Sequence, residues 1–194
     1  IREAAQYPIY QSLVQADAAQ SPFEPEQFGS AISNSVLEHI PHIDDVLKDV
    51  QRVLKRGANF YFCVPNDRAF TDLSIFKFLK AIKLGFLADG YDRFFRKISR
   101  TEHANPPEVW EARLNKAGFE LVEYWHYFSP AALAKLEWGH YLGLPSWLIH
   151  FVTGKWNLVE ADWNFNLLVK LLRKHANPTP REDGTYTWFV ARKL

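Results

Sequence analysis

Apolar residues recur at spacings of three and four from Ile43 through Val46, Leu47, Val50 and Val53 to Leu54. That period predicts an amphipathic helix over 43–54, with Asp44 or Asp45 in its first turn, where a carboxylate suits the exposed backbone N–H groups. Lys55-Arg56-Gly57 reads as its end, basic side chains followed by a terminal glycine. Ahead of it, Ser30–Ser33 is a short apolar strand. Behind it, Phe60–Val64 is continuously apolar up to Pro65-Asn66, the pattern of a strand buried on both faces. Strand, helix and second buried strand make a parallel crossover unit.

The same reading extends along the chain. Ile1–Gln6 resembles a helix tail and Gln11–Ala16 a short strand, and 21–28 is a proline-containing loop. Pro107–Ala117 is a helix stopped by Gly118, and Phe119–Trp125 and Thr185–Ala191 are strands. Between those strands lies a helical insertion, about 129–176. Ser129-Pro130 opens one helix with a capping residue and a first-turn proline, and Leu167, Leu168, Leu171 and Leu172 stripe a later one. Ile75, Leu79, Ile82 and Phe86 also align at helical spacing, beside a basic face of Lys77, Lys80 and Lys83. Phe94-Phe95 and Arg96-Lys97 follow. Such a segment suits a lid packed on the sheet edge or a helix lying on an anionic membrane.

Composition narrows the classes. A chain of 194 residues fits one domain, and 23 basic against 22 acidic side chains argue against a nucleic-acid binder that neutralises phosphates. The single cysteine, Cys63, can form neither an internal disulfide nor a cysteine-based zinc site, which suits a reducing cytoplasmic setting. Cys63 reads as a buried strand residue before it reads as a nucleophile. The chain has no Met and starts at Ile1, which leads us to expect residues upstream. No apolar run approaches the roughly 20 residues needed to span a bilayer. Aromatic side chains make up 15%, with 7 Trp, enough to furnish a pocket or interface. Trp138, Tyr141, Trp147, Trp156 and Trp163 fall in the insertion, where they suit a flat apolar ligand or an ordinary subdomain core.

Leu37-Glu38-His39-Ile40, Arg52-Val53-Leu54-Lys55, Gly57 and Val64-Pro65-Asn66 occur in that order within residues 28–66. This ordered set resembles the fourth strand, following helix and fifth strand of S-adenosylmethionine-dependent methyltransferases of the Rossmann-like superfamily, type-11 group. Asp17-Ala18 resembles the pair with which that group contacts adenine, and residues 102–125 resemble its last helix and sixth strand. The resemblance implies an α/β fold: a doubly wound, mostly parallel sheet with an antiparallel last strand, incomplete at its N-terminus, and a helical insertion before that strand. It implies one partial domain over 1–194, with 67–100 as lid or membrane-surface helices and 129–184 as a substrate cap. The group's Gly-rich loop and ribose-holding acidic residue would precede Ile1. Gly29 replaces the usual Asp at the strand entry.

The resemblance implies transfer of a methyl group from S-adenosylmethionine to a small, hydrophobic or aromatic acceptor. The alternative is a non-catalytic fragment or interaction module, which could sit on a membrane. Asp17, Ala18, Asn34 and Ser35 are the expected cofactor-binding residues. His39 and His103 are the candidate bases, each with an ordinary structural role as the competing reading. Quinone O-methyltransferases that share Leu-Glu-His bind a metal through a further Glu, but here that position is Ser35, so no metal is expected.

Overall fold

A computed structural model describes residues 4–139, 144–155, 161–176 and 179–194. Strands β1 (Phe28–Asn34), β2 (Leu54–Pro65), β3 (Phe119–Tyr127) and β4 (Tyr186–Lys193) form one sheet in the order β1-β2-β4-β3. β1 and β2 are parallel, and β4 is antiparallel to both β2 and β3. Three strands therefore run one way and the last runs against them, as the resemblance implies.

Helices α1 (Ile43–Val53) and α5 (Pro107–Lys116) cover one face. α1 buries Ile43, Val46, Leu47 and Val53, the positions its periodicity marked, with Asp44 and Asp45 in the first turn. α5 contributes Trp110 and Leu114. They meet Phe60, Phe62, Phe119 and Phe189 from the sheet. Phe62 stacks on Phe60 at 5.0 Å and on Phe189 at 4.8 Å, and Trp110 tilts onto it at 5.3 Å. Each large side chain buried here contributes roughly 1.5–3 kcal/mol. Gly118, at φ +88, ends α5's turn in a conformation that side chains disfavour.

Several boundaries differ from expectation. α1 ends at Val53, and Lys55-Arg56-Gly57 belongs to β2 rather than to the helix's last turn. Leu54 is fully buried and pairs with Phe28, so the chain extends as soon as it leaves the helix. The register then jumps, Ser30 pairing with Asn59, and Gly57 (φ +73) lies in the extra residues. Gln11–Ala16 forms no strand. Among the described residues no neighbouring strand takes its backbone hydrogen bonds, and it runs as irregular chain. Of the expected helix at 1–6, residues 4–6 form a single 3-10 turn.

Beyond β2 come α2 (Arg68–Thr71), α3 (Ser74–Ala81) and α4 (Gly85–Ser99). The helical spacing at 75–86 is split by a turn at 82–84, where Lys83 takes φ +61. The insertion holds α6 (Pro130–Gly139), α7 (Leu144–Thr153) and α8 (Asp162–Arg173). Ser129 Oγ accepts from the Ala132 N–H, capping α6. The side chains of Leu167, Leu168 and Leu171, and the whole of Tyr141 and Trp156, lie outside the described residues. Phe70, Leu73, Phe95 and Leu133 form a second core joining α4 and α6 to the chain around α2. Glu137, fully buried on α6, accepts from Ser74 N (2.7 Å), Ser74 Oγ (2.6 Å) and Tyr91 Oη (2.6 Å). One carboxylate thus caps α3 and ties the insertion to the α3–α4 hairpin.

Candidate functional site

The carboxyl ends of β1 and β2 carry the family-like motif, and the backbone there is unusual. Ser35 follows β1 at φ +50, a left-handed conformation uncommon outside glycine. Its N–H donates to the Cys63 carbonyl at 3.1 Å, holding the turn to β2. A 3-10 turn over Leu37–His39 follows at once. Leu37 enters the core and Glu38 is buried beside it. Cys63 is fully buried, and its thiol donates to Asn34 Oδ1 at 2.9 Å.

Glu38 is only 3% exposed. Its Oε1 lies 3.8 Å from His39 Nε2, and its Oε2 is buried with no hydrogen-bond partner. Its backbone carbonyl accepts from Glu102 N (2.8 Å) and His103 N (3.1 Å). Burial raises the pKa of the Glu38 carboxyl above the ordinary carboxylate value, with hydrogen bonding and His39 pulling the other way. Tyr127, at the end of β3, and Tyr186, at the start of β4, pair in register with their rings 6.0 Å apart. Burial pushes both phenols up, and the nearby Glu38 and Cys63 add to the shift. The ends of β1, β2 and β3 and the start of β4 thus gather a carboxyl, two phenols and a thiol near Ser35. Such a group can hold a hydroxyl or enol and take its proton.

Both candidate histidines hold this turn in place. His39 Nδ1 donates to the Arg100 carbonyl at 2.9 Å. A carbonyl only accepts, so the neutral ring keeps its lone pair on Nε2, facing Glu38. His103 Nε2 donates to the Ile40 carbonyl at 3.0 Å, and its ring stands edge-on to Trp110. Together they clasp residues 38–40 to residues 100–103.

Asp17 and Ala18 lie further back, in an open pocket of about 410 Å³ along the side of β1. Val14, Phe28, Ala31 and Val50 give it apolar walls. Asp17 Oδ1 accepts from the Ala19 N–H at 2.9 Å, which shapes the turn. The loop is anchored by α1. Asp49 accepts from Ser21 N (3.1 Å) and Ser21 Oγ (2.5 Å), and Arg52 donates to the carbonyls of Phe23 (2.6 Å) and Ser21 (3.0 Å). Burial opposes the charge of Asp49, but its bonds to Ser21 and Arg52 outweigh that and lower its pKa.

The structure therefore brings Asn34, Ser35, His39 and His103 to one turn and leaves Asp17 and Ala18 along the flank of the same strand. Sequence reasoning weighed Glu38 only as a metal ligand and missed Tyr127 and Tyr186. No linear signal joins those tyrosines, because only the antiparallel register brings them together.

A parallel crossover, an antiparallel last strand and polar groups at the strands' carboxyl ends define an α/β sheet of the doubly wound kind, in which ligands bind at the carboxyl ends of the strands. Residues 1–62 match the family model of a type-11 methyltransferase domain. The chain is 28% identical over 132 residues to the ubiquinone/menaquinone biosynthesis C-methyltransferase UbiE of Bartonella bacilliformis, covering 65% of this chain and 50% of that protein. It is 44% identical over 48 residues to the sterol 4-C-methyltransferase strm-1 of Caenorhabditis elegans, covering 25% of this chain and 14% of that one. A SAM-dependent methyltransferase of Thermotoga maritima superposes with a TM-score of 0.51 at 15% identity, covering 93% of this chain and 63% of the other. That likeness concerns the fold. The chain spans about half the length of the UbiE relatives it matches.

Proposed function

We propose that this chain works in methyl transfer from S-adenosylmethionine to a small hydrophobic or aromatic acceptor. The observation that carries the reading is the polar cluster at the end of the β1–α1–β2 unit, where buried Glu38 and Cys63 and half-buried Tyr127 and Tyr186 lie below the exposed Ser35. The Asp17 pocket fits an adenine: apolar walls for a flat ring and a carboxylate with lone pairs left for an exocyclic amine. S-adenosylmethionine supplies an activated methyl group on a sulfonium, so the protein's share is placement, exclusion of water and proton handling.

Asn34 and Ser35 border the reacting end, and Glu38, with His39 beside it, accepts the proton that an acceptor hydroxyl or carbon acid must lose. His103 holds the turn. The α2–α4 segment and the insertion serve as lid and cap. The printed names of the relatives, a quinone-pathway C-methyltransferase and a sterol methyltransferase, favour a greasy ring as acceptor. The one cysteine, buried and reduced, suits a cytoplasmic setting.

A second reading, a non-catalytic methyltransferase-like module, is favoured by β1 standing at the sheet edge with Ile32 74% exposed. Calorimetric titration with S-adenosylhomocysteine separates the two. Saturable binding, weakened about tenfold or more by Asp17→Ala through loss of a hydrogen bond to a charged group, supports the enzyme. Absence of binding overturns it in favour of the module.

A further inference from the structure

The α3–α4 hairpin and α7 carry an apolar stripe that is exposed at both ends and half-buried at Phe94 and Trp147 between them. At the hairpin tip, Phe78 is 61% exposed, Ile82 47% and Phe86 71%. Phe86, Gly90 and Phe94 fall four residues apart on α4 and so share a face. Phe94 meets Trp147 of α7 edge-on at 5.1 Å, and Trp147 stacks on Phe151 at 5.9 Å. Phe151 is 77% exposed and its neighbour Val152 80%. The stripe thus runs from Phe86 through Phe94 and Trp147 to Phe151 across two helices. An exposed patch of this extent marks an interaction surface.

Charge identifies the occupant. Residues 73–100 carry seven basic and two acidic side chains, a net charge of +5, while the whole chain is at +1. Lys77 and Lys80 rest on Asp72 and Asp89 in exposed pairs, which water and salt screen. Against a second copy of the chain, a two-fold contact would set two such basic segments face to face. An anionic surface complements them. No helix among the described residues is long and apolar enough to cross a membrane, so the stripe would lie on a bilayer rather than span it.

We propose that the α3–α4 tip and α7 form a docking surface for an anionic lipid bilayer, with Phe86 and Phe151 entering the headgroup boundary and Lys83, in the turn before Phe86, reading its charge. The hairpin shares the second core with the chain leaving β2, so docking sets the site's end of the sheet toward the lipid. The inference concerns binding alone and stands whether or not the chain transfers methyl groups.

The test is co-sedimentation of the full chain with vesicles of phosphatidylcholine alone and of phosphatidylcholine mixed with phosphatidylglycerol, at low and high salt. Three results are expected: binding to the mixed vesicles that salt weakens, loss of roughly fivefold in affinity for Lys83→Gln, and abolition by Phe86→Ser with Phe151→Ser. Circular dichroism and thermal unfolding of the variants confirm that they fold, and Val169→Ser on α8, outside the stripe, serves as a control that retains binding. Equal partition to neutral and mixed vesicles, or no partition at all, overturns the proposal. So does a wild-type dimer in light scattering that the stripe substitutions turn into monomer, which would assign the stripe to a second copy.

Discussion

Asn34 and Cys63 stand at matched positions on the parallel strands β1 and β2, and the Cys63 thiol donates to the Asn34 side-chain oxygen at 2.9 Å. The contact ties the last residue of β1 to the wall of the site, and it leaves Cys63 with no exposed surface. A thiol so enclosed is inert until the strand end opens. Cys63 is therefore expected to react with a disulfide reagent at least about a hundredfold more slowly in the native chain than in denaturant. Comparable rates would mean that the end of β2 is not closed.

Arg52 fastens the 21–23 loop to α1 and through it places the Asp17 pocket. Arg52→Ala removes donors from the carbonyls of Phe23 and Ser21 and leaves Asp49 without its cation. Because Arg52 is about one-third exposed, water replaces part of what is lost. We expect a cost of about 2 kcal/mol in denaturant unfolding. S-adenosylhomocysteine binding should weaken by more than that stability loss explains. An Arg52→Lys variant should recover only part of the effect, since an ammonium cannot match the guanidinium's fork. Unchanged binding would detach the loop from the pocket.

What the sequence revealed and what it hid have distinct physical causes. α1 was legible because its burial follows from a local period. The start of β2 was not, since Leu54 is extended only because Phe28 lies beside it. Likewise Gln11–Ala16 has apolar residues but no partner strand, and apolar residues alone do not make a strand. Tyr127 and Tyr186 are far apart in sequence, and their meeting depends on the antiparallel register and on the turn that leads into β4. Glu38 was visible as a residue, but its burial with one oxygen unpartnered was not.

That turn rests on Gly184. A Cβ built there would lie 2.5 Å from Tyr127 N and 2.6 Å from Tyr127 O, backbone atoms that cannot move aside cheaply. The Gly184 carbonyl also accepts from Asn66 Nδ2 at 2.9 Å, inside a buried set with Thr187. Gly184→Ala should cost about 1–3 kcal/mol or more through overpacking. It should also separate the two phenols, which near-ultraviolet circular dichroism of the aromatic groups would register. A variant with native stability and spectrum would show that the β3–β4 start yields more readily than its contacts imply.

Glu38 makes the sharpest prediction. Burial raises its pKa in the folded chain above the ordinary value of 4.5. An acid with a raised folded pKa costs nothing while protonated in both states. Its cost appears as pH rises through the unfolded value, grows toward the folded value, and is complete above it. Glu38→Gln keeps the shape and removes the ionisation, so its stability relative to wild type should improve as pH rises from about 4 to about 8. His39, 3.8 Å away, favours the ionised carboxylate when it is itself charged. Ser35, Cys63, Tyr127 and Tyr186 also face Glu38, and the two phenols stay neutral over this range because burial pushes them up. Repeating the series in a His39→Gln background isolates the carboxyl, and there the pH-dependent gain should be larger, because the imidazolium that offsets it is gone. If the difference between Glu38→Gln and its parent is flat with pH in both backgrounds, Glu38 carries no raised pKa and is not the proton acceptor. If the gain appears and the variant still binds S-adenosylhomocysteine yet no longer methylates an acceptor hydroxyl, the buried carboxyl is retained for proton transfer at the expense of stability.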